Sequence, residues 1–176
     1  PDTDASPIVF GSFNRLSKVR PEVLRLWGRL LAQAPESELW ILDVPSDETH
    51  QRVVAEVVAA GVAADRIKTW ARLPAEPYWD RIRRADIALD PFPYNGGATT
   101  CECLWLGVPV VTKAGAMGFA RSATSILGNI GLSELVAESE DLPQQQLLVG
   151  ERGLHLGDLH RAAAPPAGLG GHPGPG

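Results

Sequence analysis

A glycine-rich segment in the middle of the chain has the residue types of a phosphate-binding loop. Residues 95–100 read Asn-Gly-Gly-Ala-Thr-Thr and lead into an apolar, helix-like stretch. Glycines let a ligand approach the backbone closely, and the N–H groups at a helix start attract anions. The candidate ligands in this segment are Gly97, Ala98, Thr99 and Thr100. The alternative is an ordinary turn in which Thr99 or Thr100 serves as the helix N-cap.

Glu102 lies within the first turn of the same predicted helix. Its carboxylate could accept hydrogen bonds from ribose hydroxyls. Acidic residues are also favoured at this position by the helix dipole alone, so both interpretations stay open.

A second candidate loop, residues 12–18, carries two cations. Lys18 and Arg15 could both reach a diphosphate, although a solvated loop is an equally good interpretation of these residues. Neither the P-loop pattern nor a Gly-x-Gly-x-x-Gly at the first strand-to-helix turn is present, which disfavours phosphate hydrolysis and dinucleotide binding.

A third loop, residues 72–76, contains Arg72 and Leu73 and could offer backbone groups to a nucleobase. That role hardly constrains side-chain identity. Asp86 and Asp90 bracket the next predicted strand, and we interpret them as strand-end caps rather than as a catalytic pair.

Short apolar runs alternate with longer amphipathic stretches from Ile8 to about Val136. This alternation predicts an α/β fold, a Rossmann-like parallel sheet flanked by helices. The predicted strands are 8–10, 39–42, 66–70, 86–90 and 108–112. One predicted helix begins near residue 20. The other predicted helices cover 53–58, 78–85, 99–107 and 121–127. Trp27, Trp40 and Trp105 are expected to be buried. Open α/β sheets bind ligands at the carboxyl ends of their strands, so the three loops should meet at one edge.

Length and charge limit the possible functions. The chain has 176 residues, which fits one domain, and a net charge of −5 without a basic stripe. This distribution argues against nucleic-acid and anionic membrane partners. No apolar run approaches the roughly 20 residues of a membrane span. Cys101 and Cys103 are too close for a disulfide framework, so we expect reduced thiols and a cytoplasmic protein.

The composition changes near Pro143. We therefore expect a folded Rossmann-like lobe over 1–142 and a low-complexity, disordered tail over 143–176, which is rich in Gly, Pro, Ala and His. Its histidines at 155, 160 and 172 share no fixed spacing, so we expect no metal site. Because the first residue is not Met and an apolar stretch follows almost at once, we also expect a fragment of a longer protein.

The three loops, in their order and spacing, resemble those of the O-GlcNAc transferases and their SPINDLY-like, tetratricopeptide-fused relatives. The first loop of the family is similar to Phe13-Asn14 followed by Lys18 before a Pro-led helix. Residues 72–76 are similar to the loop that binds uracil in the family. Residues 90–97 with Thr99 and 105–112 resemble its nucleotide block. The resemblance covers roughly residues 8–140.

This resemblance implies the C-terminal lobe of a two-lobed GT-B glycosyltransferase. It implies a UDP-sugar donor, UDP-GlcNAc, and inverting transfer to a protein Ser or Thr without a metal or other cofactor. Lys18 would be the catalytic cation, acting with the N–H groups near Ala98 and Thr99 on the departing diphosphate. Glu102 would bind ribose. The implied partners are the donor, an acceptor protein, an N-terminal catalytic lobe and tetratricopeptide repeats.

Several positions depart from the family pattern. The animal enzymes carry His-Thr-Thr where this chain has Gly97, Ala98 and Thr99. Further departures are Arg15 for Gln, Ala75 for Lys and Tyr78 for His. Two alternatives therefore stay open, a degenerate lobe kept as a protein-interaction module and a nucleotide-sugar epimerase-like protein on the same two-lobed fold.

Overall fold

The computed structural model describes residues 7–137, apart from the side chain of Phe119. The predicted tail over 143–176 and its histidines lie outside the described residues. Within the described part, no helix is both long and apolar enough to cross a membrane.

Within residues 7–137, six parallel strands form one sheet in the order β3-β2-β1-β4-β5-β6, which confirms the predicted fold class. The strands are β1 (Ile8–Ser12), β2 (Ser37–Ile41), β3 (Ile67–Thr69), β4 (Ile87–Leu89), β5 (Val110–Lys113) and β6 (Val136–Ala137). Phe10 of β1 pairs with Leu39 on one side and Ile87 on the other. The strand order therefore changes direction between β1 and β4, the position at which open α/β sheets bind ligands.

Five α-helices in the described part of the chain connect these strands. They are α1 (Pro21–Gln33), α2 (Asp47–Val58), α3 (Ala75–Arg83), α4 (Ala98–Trp105) and α5 (Ser122–Asn129). Pro21 opens α1, where its missing N–H costs nothing. Gly107, at φ +80°, supplies the left-handed residue just after α4.

Two helices begin earlier than the sequence pattern predicts. In α2, the Ser46 hydroxyl accepts the Thr49 N–H at 3.2 Å, and two acidic residues follow it, so the helix starts at Asp47. In α3, the helix starts directly after Pro74. Apolar periodicity reports only the buried positions of a helix, and these first turns are exposed.

Close contact between α1 and α2 depends on a glycine. A Cβ at Gly28 would lie 2.4 Å from the Val57 carbonyl oxygen, so any other residue would force the helices apart. Beneath them the core contains fully buried side chains from both layers, Phe10, Leu31, Leu39, Ile41 and Val57.

The tryptophans divide into three environments. Trp27 is buried as predicted. Trp40 is only half-buried, with Trp70 at 5.3 Å between ring centroids and the Arg81 guanidinium 5.3 Å from its ring. Trp105 is 62% exposed, so the prediction that it is buried is wrong. It ends α4 on the face opposite the buried Cys103 and Leu104.

Candidate functional site

A cleft of about 250 Å³ lies where the loops after β1, β2 and β3 meet the start of α4. Its lining combines apolar surface with charges of both signs. The lining residues are Phe13, Arg15, Leu42, Asp43, Arg72, Leu73, Tyr78, Thr99 and Glu102. Five of the nine predicted ligands, Arg15, Arg72, Leu73, Thr99 and Glu102, are therefore brought together, although they come from three separate loops.

The N-terminus of α4 faces this cleft without a side-chain cap. Gly97 occupies the N-cap position, which rules out the alternative in which Thr99 or Thr100 caps the helix. The first N–H to find a helical partner is that of Cys101, bonded to the Gly97 carbonyl oxygen at 3.1 Å. Helix geometry leaves the N–H groups of Ala98, Thr99 and Thr100 without intrahelical acceptors, which is the arrangement that binds anions.

Thr100 cannot offer its hydroxyl to a ligand in the cleft. Its side chain is 1% exposed, and a Cβ at Gly96 would lie 2.7 Å from its Oγ1. The hydroxyl therefore faces inward, toward the loop, and only the Thr100 backbone N–H remains a candidate ligand. The expectation that the Thr100 hydroxyl contacts the ligand is therefore wrong, and Thr100 could bind only through its backbone N–H.

Lys18 lies beside the cleft rather than in its lining. It ends a 3₁₀ turn at Leu16–Lys18, and its Nζ donates to the Asn95 carbonyl oxygen at 3.1 Å. An ammonium has three donors, so this contact does not saturate it. The charge is held next to the loop that precedes α4.

Asp90 fixes the shape of that loop. Its carboxylate accepts the Gly96 N–H at 2.7 Å and the Thr112 hydroxyl at 2.7 Å, and the Asn14 amide donates to it at 3.3 Å. Burial raises the pKa of Asp90 to about 6, although these hydrogen bonds and the nearby Lys18 oppose the shift. Asp86 accepts the Val9 N–H at 2.8 Å. Both aspartates therefore bind the backbone at strand ends.

Tyr78 and Glu102 form a hydrogen-bonded pair on one wall of the cleft. The Tyr78 hydroxyl donates to Glu102 Oε2 at 3.0 Å, and the Tyr78 ring packs against Phe13 in a T-shaped arrangement with centroids 6.5 Å apart. Burial and the Glu102 charge raise the pKa of Tyr78, which keeps the phenol protonated.

Sequence reasoning did not assign Phe13, Leu42, Asp43 or Tyr78 to the site. Asp43 lies two residues after the end of β2, has φ of 66°, and accepts the Leu16 N–H at 3.1 Å through Oδ2. Its position just past a buried strand was the available signal, because the carboxyl ends of parallel strands share one edge.

The described residues contain no group of three His, Cys, Asp or Glu side chains arranged to hold a metal ion. Cys101 is exposed and Cys103 is buried, and both are free thiols.

Comparisons with known proteins identify the family to which this chain belongs. The family model described as glycosyl transferase family 41 matches residues 2–151. The SPINDLY protein of Arabidopsis thaliana, named a probable UDP-N-acetylglucosamine--peptide N-acetylglucosaminyltransferase, is 38% identical over 140 residues, covering 76% of this chain and 15% of its own. The Caenorhabditis elegans protein of that enzyme name is 37% identical over 133 residues, covering 75% of this chain and 11% of its own.

A solved structure agrees with these sequence relatives. A mutant of the Thermobaculum terrenum O-GlcNAc transferase superposes with a TM-score of 0.83 at 34% identity, over 93% of this chain and 33% of that one. The chain thus spans only a minor part of the proteins it matches. Since the family model covers most of its length and the fold agrees, the chain belongs to glycosyl transferase family 41, as the C-terminal lobe of the GT-B fold.

Proposed function

We propose that this lobe binds a UDP-sugar, UDP-GlcNAc, and that the whole protein transfers the sugar with inversion to a Ser or Thr hydroxyl of an acceptor protein. The observation that carries the proposal is the convergence of three loops on one cleft beside the free N–H groups of α4. The enzyme names of the family relatives support the choice of donor and acceptor.

Different residues of the cleft would contact each part of the donor. The diphosphate would lie at the α4 N-terminus, within reach of Arg15 and Lys18. Glu102 would accept hydrogen bonds from the ribose, and the loop at Arg72 and Leu73 would hold the uracil through its backbone.

Lys18 would be the catalytic residue of this lobe. As the glycosidic bond breaks, negative charge grows on the leaving UDP, and a fixed ammonium beside helix N–H groups stabilises that charge. The same groups supply what a divalent cation supplies in other transferases, so we propose that donor binding needs no metal. The acceptor site and the remaining catalytic groups would come from an N-terminal lobe, and tetratricopeptide repeats would serve as a further partner.

The proposal is tested by calorimetric titration of UDP into the chain in the presence of EDTA. We expect saturable binding of UDP with EDTA present, and no tightening on addition of Mg²⁺. Absence of UDP binding, or binding that requires Mg²⁺, would contradict the proposal. Transfer itself is tested by joining this lobe to the upstream lobe of the Thermobaculum relative and following GlcNAc incorporation into a Ser-containing peptide.

A second candidate is a degenerate lobe that binds protein rather than nucleotide. Gly97 and Ala98 carry neither the His nor the Thr of the animal enzymes, and an apolar groove of about 400 Å³ lies between the exposed Trp79 and Trp105. UDP affinity separates the two, because a degenerate lobe would bind no UDP. The epimerase alternative gains no support, since the sole histidine within residues 7–137, His50, lies on α2 and pairs with Thr69 at 2.7 Å.

A further inference from the structure

Tyr78 connects two walls of the cleft that the sequence places 24 residues apart. It lies on α3, and its backbone N–H donates to the Pro74 carbonyl oxygen at 3.0 Å, directly after the loop at Arg72 and Leu73. Its hydroxyl reaches Glu102 on α4. A single side chain therefore links the proposed base-binding loop to the proposed ribose ligand.

The position of the Tyr78 ring is fixed from two directions. The ring packs against Phe13 in a T-shaped arrangement with an interplanar angle of 89°, and the Tyr78 hydroxyl is hydrogen-bonded to Glu102. Because burial and the Glu102 charge keep the phenol protonated, it acts as a donor to the carboxylate.

This contact leaves half of the Glu102 carboxylate free for a ligand. Oε2 accepts the hydrogen bond from the phenol, whereas Oε1 accepts no hydrogen bond from any residue between 7 and 137. Glu102 lines the cleft, and a glutamate without the phenol would exchange among several rotamers. Held by Tyr78, the carboxylate presents one oxygen in a single direction, as hydrogen-bond readout of a hydroxyl requires.

We propose that Tyr78 is a positioning residue that fixes Glu102 for a ribose diol, so that the site selects ribonucleoside diphosphates over their deoxy analogues. This inference rests on the proposed binding of a UDP-sugar. It adds a residue whose effect passes through Glu102 rather than through its own contact with the nucleotide.

The experiment measures dissociation constants of the full chain for UDP and for 2′,3′-dideoxy-UDP, which lacks both ribose hydroxyls. The proteins are the wild type, Tyr78→Phe, Glu102→Ala and the double variant. Phenylalanine keeps the ring and its contact with Phe13 and removes only the hydroxyl. The dideoxy nucleotide is the matched control, because it shares every contact except those to the diol.

We expect the wild type to bind UDP about tenfold or more tightly than the dideoxy nucleotide. A site that hydrogen-bonds a ligand hydroxyl loses that hydrogen bond when the ligand lacks the hydroxyl. Tyr78→Phe should weaken UDP about three- to tenfold and leave the dideoxy affinity unchanged. In the Glu102→Ala background, the same substitution should have no further effect on UDP.

Two outcomes overturn the inference alone. In the first, Tyr78→Phe weakens both nucleotides equally, as loss of stacking or of local structure would. In the second, it changes neither affinity while the wild type still prefers UDP. A wild type that binds neither nucleotide would overturn the proposed function and, with it, this inference, so the two failures are distinguishable.

Discussion

The Lys18 ammonium lies 3.1 Å from the Asn95 carbonyl oxygen, across 77 positions of the chain. This hydrogen bond ties the loop after β1 to the loop before α4. It holds a positive charge beside a helix N-terminus whose first N–H groups have no intrahelical acceptor. Two independent sources of positive potential therefore converge on one place.

Replacing Lys18 with Ala should weaken UDP binding by about tenfold or more, because a charge-assisted contact to the diphosphate is lost. Uridine affinity should not change, since uridine carries no phosphate. Lys68→Ala is the matched control, because Lys68 donates to the Asp65 carbonyl oxygen away from the cleft. Calorimetric titration of both ligands gives the answer. Equal losses for uridine and UDP would show that Lys18 supports the fold rather than the phosphates.

Gly96 and Gly97 are adjacent but should respond differently to substitution. A Cβ at Gly96 would lie 2.7 Å from Thr100 Oγ1 and 2.8 Å from Asp90 Oδ1, whereas a Cβ at Gly97 meets nothing within 4 Å. Gly96→Ala should lower the free energy of unfolding by about 1–3 kcal/mol, and Gly97→Ala by clearly less. Urea unfolding of the two variants tests this. A larger loss for Gly97→Ala would mean that the loop is packed differently.

The buried Asp90 carboxyl should make stability depend on pH. Its pKa is 3.8 as an ordinary carboxyl and about 6 in the folded chain, so between these values the native state binds a proton that the unfolded state has released. Stability from this group is therefore present in full below about pH 4 and is lost as pH rises through about 6. The difference amounts to about 3 kcal/mol.

Asp90→Asn removes that titration. We expect urea unfolding to show the wild type gaining stability relative to the variant as pH falls from 7 to 4.5. Parallel pH profiles for the two proteins would contradict the assignment of this shift to Asp90.

The tryptophans provide a test of the packing. Trp27 lies on α1 and is 4% exposed, and Trp27→Ala should cost about 3–5 kcal/mol of unfolding free energy. Trp105 is 62% exposed, and Trp105→Ala should change stability by no more than about 0.5 kcal/mol. Thermal unfolding of the pair measures the contrast. Similar losses for both would mean that Trp105 is covered in solution.

Most of the fold could be predicted because its strands are short apolar runs separated by turn residues. The first turns of α2 and α3 were not predicted because their exposed residues carry no periodic signal. The exposure of Trp105 was not predicted for a related reason. Its residue type favours burial, but the direction of a side chain at a helix end depends on the phase of the helix, which a two-turn segment does not establish.

The loops of the site could be predicted, but not the contacts between them. Parallel topology alone brings residues 12–18, 72–76 and 95–102 to one edge. The pairing of Tyr78 with Glu102, and the inward direction of Thr100, depend on how α3 and α4 are placed, which is decided by packing across the sheet rather than by local sequence.

We propose that the phosphates of the bound nucleotide lie on the α4 N-terminus. A titration of UDP into isotopically labelled protein, followed by amide NMR, tests it most directly. We predict that the resonances of the Ala98, Thr99 and Thr100 N–H groups move most, and that those of α2 stay in place. Unchanged resonances at these three amides under saturating UDP would contradict the claim.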